Sequence, residues 1–173
     1  MLKINISDWK EFKISDLFDF ERPKTRKTSD YQEGSVPYVA SGSMNNGISR
    51  YCQPQEEEKL EKGNCITVSP IDASSFYQEK DFLGRGGAGS AIFILRNDHL
   101  NLKNGLFLST LIRVCLSSKV AYNDQINNDM LSESKIIMPV DSKGNPDWIY
   151  MDKYISNELS KAEKNIQILS DFI

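Results

Sequence analysis

Four basic residues stand close together in one polar segment of the chain. Arg22, Lys24, Arg26 and Lys27 fall within the segment ERPKTRKTSD, whose proline and polar residues predict a loop. Long cationic side chains on a loop can reach phosphates, and arginine can also pair with the O6 and N7 atoms of guanine. The alternative is a solvated loop without a partner, as most charge runs are. The four residues are therefore candidate DNA contacts.

The segment SGSMNNG at 41–47 offers a second set of candidates. It presents hydroxyl and amide groups on a tight backbone, and asparagine matches the N6 and N7 atoms of adenine. The Asn-Gly pair also favours positive φ angles, so the same residues fit a bare turn between two strands. The candidate base contacts here are Ser41, Ser43, Asn45 and Asn46.

The glycine-rich run at 84–89, GRGGAG, could at first sight cradle a phosphate. Phosphate-binding loops open a helix, however, and the sequence AIFIL that follows predicts a strand. A nucleotide site is therefore disfavoured, and Arg85 becomes a candidate DNA contact on a flexible loop. The alternative is a plain hairpin connection. Lys119, Tyr122 and Asn123 are further candidates, because they follow a predicted helix in a polar stretch.

A nuclease is the catalytic alternative, since Glu133 and Lys135 have the E-x-K form and Asp72 lies near Pro70. Nuclease carboxylates must converge on a cation, whereas Asp72 and Glu133 are far apart in sequence and Lys135 begins a predicted core strand. The chain has one histidine and no ordered Ser/His/Asp or Cys/His set. We therefore expect no catalytic residue and no enzyme activity.

Cysteine usage and net charge exclude several other classes of protein. The three cysteines are widely spaced without a CxxC pair, so we expect no disulfide framework, no metal site and no cofactor. The net charge of −3 argues against non-specific coating of nucleic acid, so DNA binding must depend on a local patch. The charged N-terminus and the lack of a long apolar run predict a cytoplasmic protein.

The elements that must position these residues are short predicted strands together with a few helices. Gly-, Asn- and Pro-rich connections separate short β-rich pieces, which predict a bent, barrel-like β body. These pieces are VPYVA (36–40), GISRY (47–51), NCITVS (64–69), SSFYQ (74–78), AIFIL (91–95) and, later, KIIMP (135–139). Residues 102–116 change to helical spacing and predict a buried helix. The predicted fold class is α+β, with helices flanking the β body.

The final segment has the most regular pattern of the chain. Its apolar residues are spaced alternately by four and three, as in the seam of a coiled coil. They are Ile155, Leu159, Ala162, Ile166, Leu169 and Ile173. We divide the chain into a recognition domain at 1–150 and a dimerisation or spacer helix at 151–173. The alternative is an amphipathic helix that folds back on its own domain.

The order of these features resembles one protein family, the target-recognition domains of Type I restriction-modification specificity subunits. The block ending in PDWIYMDKYI is the most specific match, and the resemblance covers nearly the whole chain. The matching pieces are Trp9-x-x-Phe12-x-Ile14-x-x-Leu17-Phe18, VPYVASGSMNNGI (36–48), GNCITVS (63–69), FYQEKDF (76–82), GLFLSTLI (105–112) and KIIMPVDSKGNPDWIYMDKYI (135–155). The sequence SPIDASSF, which begins at Ser69, departs from the glycine-rich turn expected there.

The resemblance implies a function and a set of partners. Such a domain reads part of a double-stranded DNA target, and the partner DNA methyltransferase subunit modifies it; a restriction subunit can join the assembly. The usual subunit has two recognition domains, whereas this sequence contains one and a short helix. We expect either two copies pairing through that helix or a fragment of a longer protein. The alternative function is an interaction module that competes with a full specificity subunit without reading DNA.

Overall fold

The computed structural model of the chain describes residues 4–87, 90–120 and 125–170. Its strands are β1 (Lys10–Lys13), β2 (Asp19–Glu21), β3 (Glu33–Val39), β4 (Ile48–Cys52), β5 (Cys65–Val68), β6 (Ser75–Gln78), β7 (Leu83–Gly84), β8 (Phe93–Arg96) and β9 (Lys135–Met138). Its helices are α1 (Ile14–Leu17), α2 (Leu102–Ser117), α3 (Asn128–Glu133) and α4 (Trp148–Ser170). Short 3-10 turns cover Thr28–Asp30 and Asn45–Gly47.

The strands lie in three sheets. The largest has the order β2-β8-β5-β6 and is antiparallel throughout. The second has the order β4-β3-β7, in which β3 pairs antiparallel with β4 and parallel with β7. In the third, β1 pairs with β9, so that Phe12 lies opposite Ile136. The mixed α and β composition is confirmed; a barrel-like body is not, because no sheet among the described residues closes on itself.

The main core lies between the four-stranded sheet and α2. The helix begins with a capping box, in which Asn101 accepts hydrogen bonds from the backbone while Asn104 bonds back to the Asn101 amide. Its apolar face buries Leu108, Ile112 and Leu116 against the sheet. A Cβ atom at Gly105 would lie 2.2 Å from the Tyr77 ring, so only glycine lets α2 approach β6 this closely. The helix predicted at 102–116 is thus confirmed.

The predicted helix at the C-terminus is present but begins earlier than expected, at Trp148. Met151 is fully buried, and Ile155 packs against the main core. From Asn157 to Ser170, every residue is exposed. The first turns therefore fold back on the body, as the alternative interpretation proposed, while the rest of α4 extends from it and stays exposed among the described residues.

Candidate nucleic-acid interface

Three chain segments run side by side: the end of β3, the end of β7 with the residues after it, and the segment around Thr25. The loops that follow them lie at one edge of the molecule. Val39 of β3 pairs in parallel with Gly84 of β7, and the Arg85 amide donates to the Val39 carbonyl at 2.8 Å. Thr25 forms a parallel bridge with Gly86. The residues that follow these segments therefore start from neighbouring positions. We call this surface the loop face; its members are 22–29, 41–47, 85–87, 90–91 and 125–128.

The glycine-rich run serves this close packing and does not open a helix. A Cβ atom at Gly86 would lie 2.1 Å from the carbonyl oxygens of both Pro23 and Lys24. Strand β8 follows the run, so the geometry of a phosphate-binding loop is missing in the described part of this region. Arg85 is half-buried and lines a shallow cleft with Lys27. Lys24 and Lys27 are exposed on the same loop face.

Arg26, a candidate DNA contact in the sequence, lies inside the body instead of facing solvent. The residue is only 6% exposed, and its guanidinium forms ion pairs with Glu58 and Glu61, each at 2.7 Å. It also donates to the carbonyl oxygens of Gly84 at 3.1 Å and Lys59 at 2.9 Å. A side chain used in this way cannot reach a phosphate. Arg26 therefore ties the loop to the body.

Glu58 belongs to the same buried group. It accepts hydrogen bonds from Arg26 and, at 2.8 Å, from the Tyr31 hydroxyl. Burial alone would raise the pKa of the Glu58 carboxyl, but the hydrogen bonds from Arg26 and Tyr31 outweigh it and hold the pKa below its usual value. Burial and the bond to Glu58 raise the pKa of Tyr31 to about 12. The group is thus a charged anchor beneath the loop face.

Arg22 is also committed to contacts within the chain. Its guanidinium carbon lies 3.4 Å from the centroid of the Phe93 ring, which makes a cation-π contact. Its nitrogens donate to the Ala91 carbonyl and, at 3.4 Å, to the Asn128 side chain. Burial lowers the pKa of the guanidinium. Arg22 therefore holds the N-terminal segment against β8 and α3 at the rim of the loop face.

The hairpin loop (residues 41–47) presents its polar residues outward. Ser43, Asn45 and Asn46 are exposed, and Met44 is 79% exposed. Ser41 is half-buried, and its hydroxyl donates to the Ser90 carbonyl at 3.0 Å, which links this loop to the glycine-rich run. The hairpin loop thus lies beside Arg85 with several of its donors and acceptors facing solvent.

The remaining candidates divide by position. Lys119 is exposed and donates to the Ser134 hydroxyl at 2.9 Å, next to the C-terminal end of α3, whereas Arg22 contacts the first residue of that helix. Lys119 therefore lies outside the loop face. Tyr122 and Asn123 lie outside the described residues, as does the seam residue Ile173.

Some residues of the loop face carry no signal in the sequence. Ser90, Gln125 and Asn127 line a cleft with Arg22, so the cleft presents hydroxyl and amide groups beside a guanidinium. The Ile126 amide bonds to the Pro70 carbonyl at 2.8 Å and so fixes this stretch against the body. Only the folded chain brings Gln125 beside the glycine-rich run, because forty residues separate Arg85 from Gln125 in sequence.

The nuclease candidates do not converge. Glu133 pairs with Lys13 at 2.7 Å, while Lys135 pairs with Glu11 at 3.2 Å. Asp72 instead accepts a hydrogen bond from the Ser74 amide at 3.1 Å. Within residues 4–87, 90–120 and 125–170, no group of three histidine, cysteine, aspartate or glutamate residues could hold a metal ion. Over the same ranges, no helix has the length and apolar character to cross a membrane.

The cysteine thiols are free and lie wholly or partly buried. Cys52 and Cys65 are buried, Cys115 is half-buried, and all three are free. Burial raises the pKa of the Cys65 thiol to about 12, which keeps it protonated and unreactive near neutral pH. These side chains fill the core.

Comparison with known proteins places this fold in a family. Residues 6–170 match the family model described as the Type I restriction modification DNA specificity domain. A curated relative, the specificity subunit S.BcgI of a Type II restriction enzyme from Heyndrickxia coagulans, is 33% identical over 168 residues. The match covers 95% of this chain and 48% of that protein, so the chain spans about half the length of this curated relative.

Solved structures agree on the fold. The S subunit of a Type I restriction-modification system from M. genitalium superposes with a TM-score of 0.56 at 16% identity, covering 96% of this chain and 44% of that one. The HsdS subunit from Thermoanaerobacter tengcongensis gives 0.56 at 15% identity, covering 98% and 41%. A chain from a structure of Type I system assembly gives 0.60 at 15% identity, covering 99% and 43%. The chain therefore belongs to the family of Type I restriction-modification DNA specificity domains.

Proposed function

We propose that this chain recognises a specific sequence in double-stranded DNA through its loop face. The observation that carries the proposal is the convergence of separate polar and basic loops on one edge of a domain of this family. Lys24, Lys27 and Arg85 would contact phosphates and set the position of the domain on the duplex. Ser43 and Asn45 of the hairpin loop would contact base edges in the major groove, whereas the Asn46 side-chain amide already donates to Tyr77 and Gln78.

The experiment that tests the proposal removes the two exposed lysines. Lys24→Ala with Lys27→Ala should weaken DNA binding and reduce the slope of log affinity against log salt by about two, one for each lost phosphate contact. Folding should be unchanged because both side chains are exposed. Lys143→Ala with Lys153→Ala removes the same charge at exposed positions outside the loop face and is the matched control. Equal affinity and salt slope in both double variants would contradict the proposal.

We infer that the chain directs enzymes and supplies no catalytic step itself. A DNA methyltransferase subunit would bind alongside it, hold the methyl donor and turn the target base out of the duplex. A restriction subunit could join the same assembly, which would act in the cytoplasm. Methylation or cleavage of duplex DNA by the purified chain alone would overturn this inference.

The alternative, an interaction module that competes with a full specificity subunit without reading DNA, is not favoured. The family model that the chain matches is that of a DNA specificity domain, and it extends over residues 6–170. A salt-dependent mobility shift of duplex DNA in the presence of the methyltransferase separates the two functions, since the competing module predicts none.

We also propose that two copies pair through the exposed part of α4. Leu159 is 42% exposed and Ile166 is 66% exposed in the described part of the chain. Such an apolar seam needs a partner helix. The contact from each copy would be only a few helical turns long, so methyltransferase subunits bridging both copies would strengthen it.

A further inference from the structure

The buried residue Gln78, at the end of β6, forms hydrogen bonds with the hairpin loop. We propose that Gln78 is a positioning residue, which fixes the hairpin loop in the shape that reads DNA bases. The proposal rests on the DNA recognition proposed above and adds to it a residue that no exposed patch or basic run would reveal. Gln78 is 4% exposed and so acts on DNA only through the residues it holds.

Hydrogen bonds join Gln78 to the hairpin loop in both directions. Its Nε2 donates to the Asn46 carbonyl at 2.9 Å and to the Thr67 hydroxyl at 3.0 Å, which uses both N–H groups. Its Oε1 accepts from the Asn46 side-chain amide at 3.2 Å. The Asn46 amide also donates to the Tyr77 carbonyl at 3.2 Å. We call this set of bonds the Gln78 lock.

Thr67 fixes which way round the Gln78 amide must sit. The Thr67 hydroxyl donates its hydrogen to the Phe76 carbonyl at 3.3 Å, so its oxygen is left as an acceptor for Gln78. With the amide reversed, the Gln78 oxygen would face this oxygen and the Asn46 carbonyl. The lock therefore has one favourable orientation, and its donors and acceptors match the hairpin loop as it stands.

The backbone of the hairpin loop needs such support. Asn45, Asn46 and Gly47 have φ angles of 48°, 55° and 75°, all in the left-handed region. Residues other than glycine adopt this region rarely and keep it only where surrounding contacts determine it. The Gln78 lock bonds Asn46 on both its backbone and its side chain. Without the lock, we expect the loop to sample other conformations.

A loop already in its binding shape loses less conformational entropy when DNA binds. Base contacts depend on exact donor and acceptor positions, whereas phosphate contacts by long lysine side chains tolerate movement. Loss of the lock should therefore reduce sequence preference and leave non-specific affinity and its salt dependence nearly unchanged. A purely structural residue would not separate these two quantities.

The test compares Gln78→Met with Ser75→Ala in the full chain. Methionine has a similar length and packs easily but makes none of these bonds. Ser75 is also buried on β6, and its hydroxyl bonds to the Ala73 carbonyl instead of the hairpin loop. The probes are a duplex enriched by the wild-type chain from a random library and a scrambled duplex of the same composition. The ratio of the two affinities measures sequence preference.

Gln78→Met should lower that ratio about tenfold, while Ser75→Ala leaves it unchanged. In a chain that already carries Ser43→Ala and Asn45→Ala, adding Gln78→Met should cause no further loss of sequence preference, because the lock acts through the contacts of Ser43 and Asn45.

Hydrogen exchange gives a readout without DNA. The Gly47 amide bonds to the Met44 carbonyl, and the Ala40 amide bonds to the Gly47 carbonyl. Both amides should exchange faster in Gln78→Met than in Ser75→Ala.

The outcomes distinguish this proposal from the function on which it rests. A wild-type chain without sequence preference overturns both. A wild-type preference that Ser43→Ala with Asn45→Ala removes and Gln78→Met retains overturns the lock alone. If Gln78→Met does not fold, Asn46→Gly removes the two bonds that the Asn46 side chain makes to Tyr77 and Gln78, while glycine keeps the positive φ and the backbone carbonyl. Unchanged exchange at Gly47 in that variant also overturns the lock.

Discussion

Among single residues, Arg26 has a different role from the one that its neighbours in sequence suggest. It lies among exposed cations in sequence, yet its side chain turns inward to two glutamates. Its partners, Glu58 and Glu61, come from an acidic stretch whose first members are exposed. A basic run and an acidic run that look like separate solvated segments are thus joined through one buried arginine and two half-buried glutamates.

We predict that Arg26→Ala destabilises the protein, in contrast to Lys27→Ala. Removing Arg26 leaves two carboxylates in a partly buried site without their counter-charge, which typically costs about 3 to 5 kcal/mol of unfolding free energy. Lys27 is exposed, and its loss should change stability by less than about 0.5 kcal/mol. Urea unfolding of the two variants and wild type measures this. Similar midpoints for both would show that Arg26 is no anchor.

The same group predicts a dependence of stability on pH. Because the folded pKa of Glu58 lies below its usual value of 4.5, its stabilising contribution is complete above 4.5 and is lost as pH falls through the folded pKa. Glu58→Gln should therefore lose stability at neutral pH and show a smaller further loss on acidification than wild type. Glu56→Gln, at an exposed neighbouring position, should follow the wild-type profile. Unfolding midpoints between pH 7 and pH 3 test this.

Among the elements, α4 has two environments along its length. Its first turns are part of the body through Met151 and Ile155, and the exposed remainder carries the rest of the seam. At 1.5 Å per residue, the exposed part from Asn157 to Ser170 extends about 20 Å. The predicted division at 150/151 therefore falls inside a continuous helix, and the change in burial comes several residues later.

We predict that Leu159→Asp with Ile166→Asp abolishes self-association and leaves the body folded. Both changes add charge to the proposed seam, and both positions are exposed in the single chain. Asn157→Asp with Ser160→Asp adds the same charge at exposed positions off the seam and should keep the dimer. Sedimentation at high protein concentration compares the two. Equal mass in both double variants and wild type would mean that α4 does not pair copies.

The sequence predicted the elements with strong periodicity or clear turn residues. The strands near VPYVA, NCITVS and AIFIL and the helix at 102–116 formed close to their expected positions. The short elements α3, with six residues, and β7, with two, were not predicted, because so few residues show no periodic spacing of apolar side chains. The turn at Ser69–Ser74 keeps a left-handed residue, but alanine supplies it: Ala73 has φ of 58° and is fully buried. Side-chain orientation, as at Arg26 and Gln78, depends on partners distant in sequence.

For the whole molecule, the proposed pairing would set the form of the DNA target. A symmetric dimer presents two identical loop faces related by a two-fold axis. We predict that the target consists of two inverted copies of one half-site with a fixed spacer. Selection from a random duplex library with wild type should recover both copies, and selection with Leu159→Asp and Ile166→Asp should recover one. A wild-type target without inverted repeats would contradict symmetric pairing.

The pairing of β1 with β9 has a consequence for how the chain folds. Lys10 lies opposite Met138, so these strands can meet only after Met138 has left the ribosome. Contacts between such distant segments raise the contact order and slow folding, since a long loop must close before they form. A nascent chain that stops before Ile136 would leave Phe12 without its cross-strand neighbour. We therefore expect the pairing of β1 with β9 to be a late step in folding.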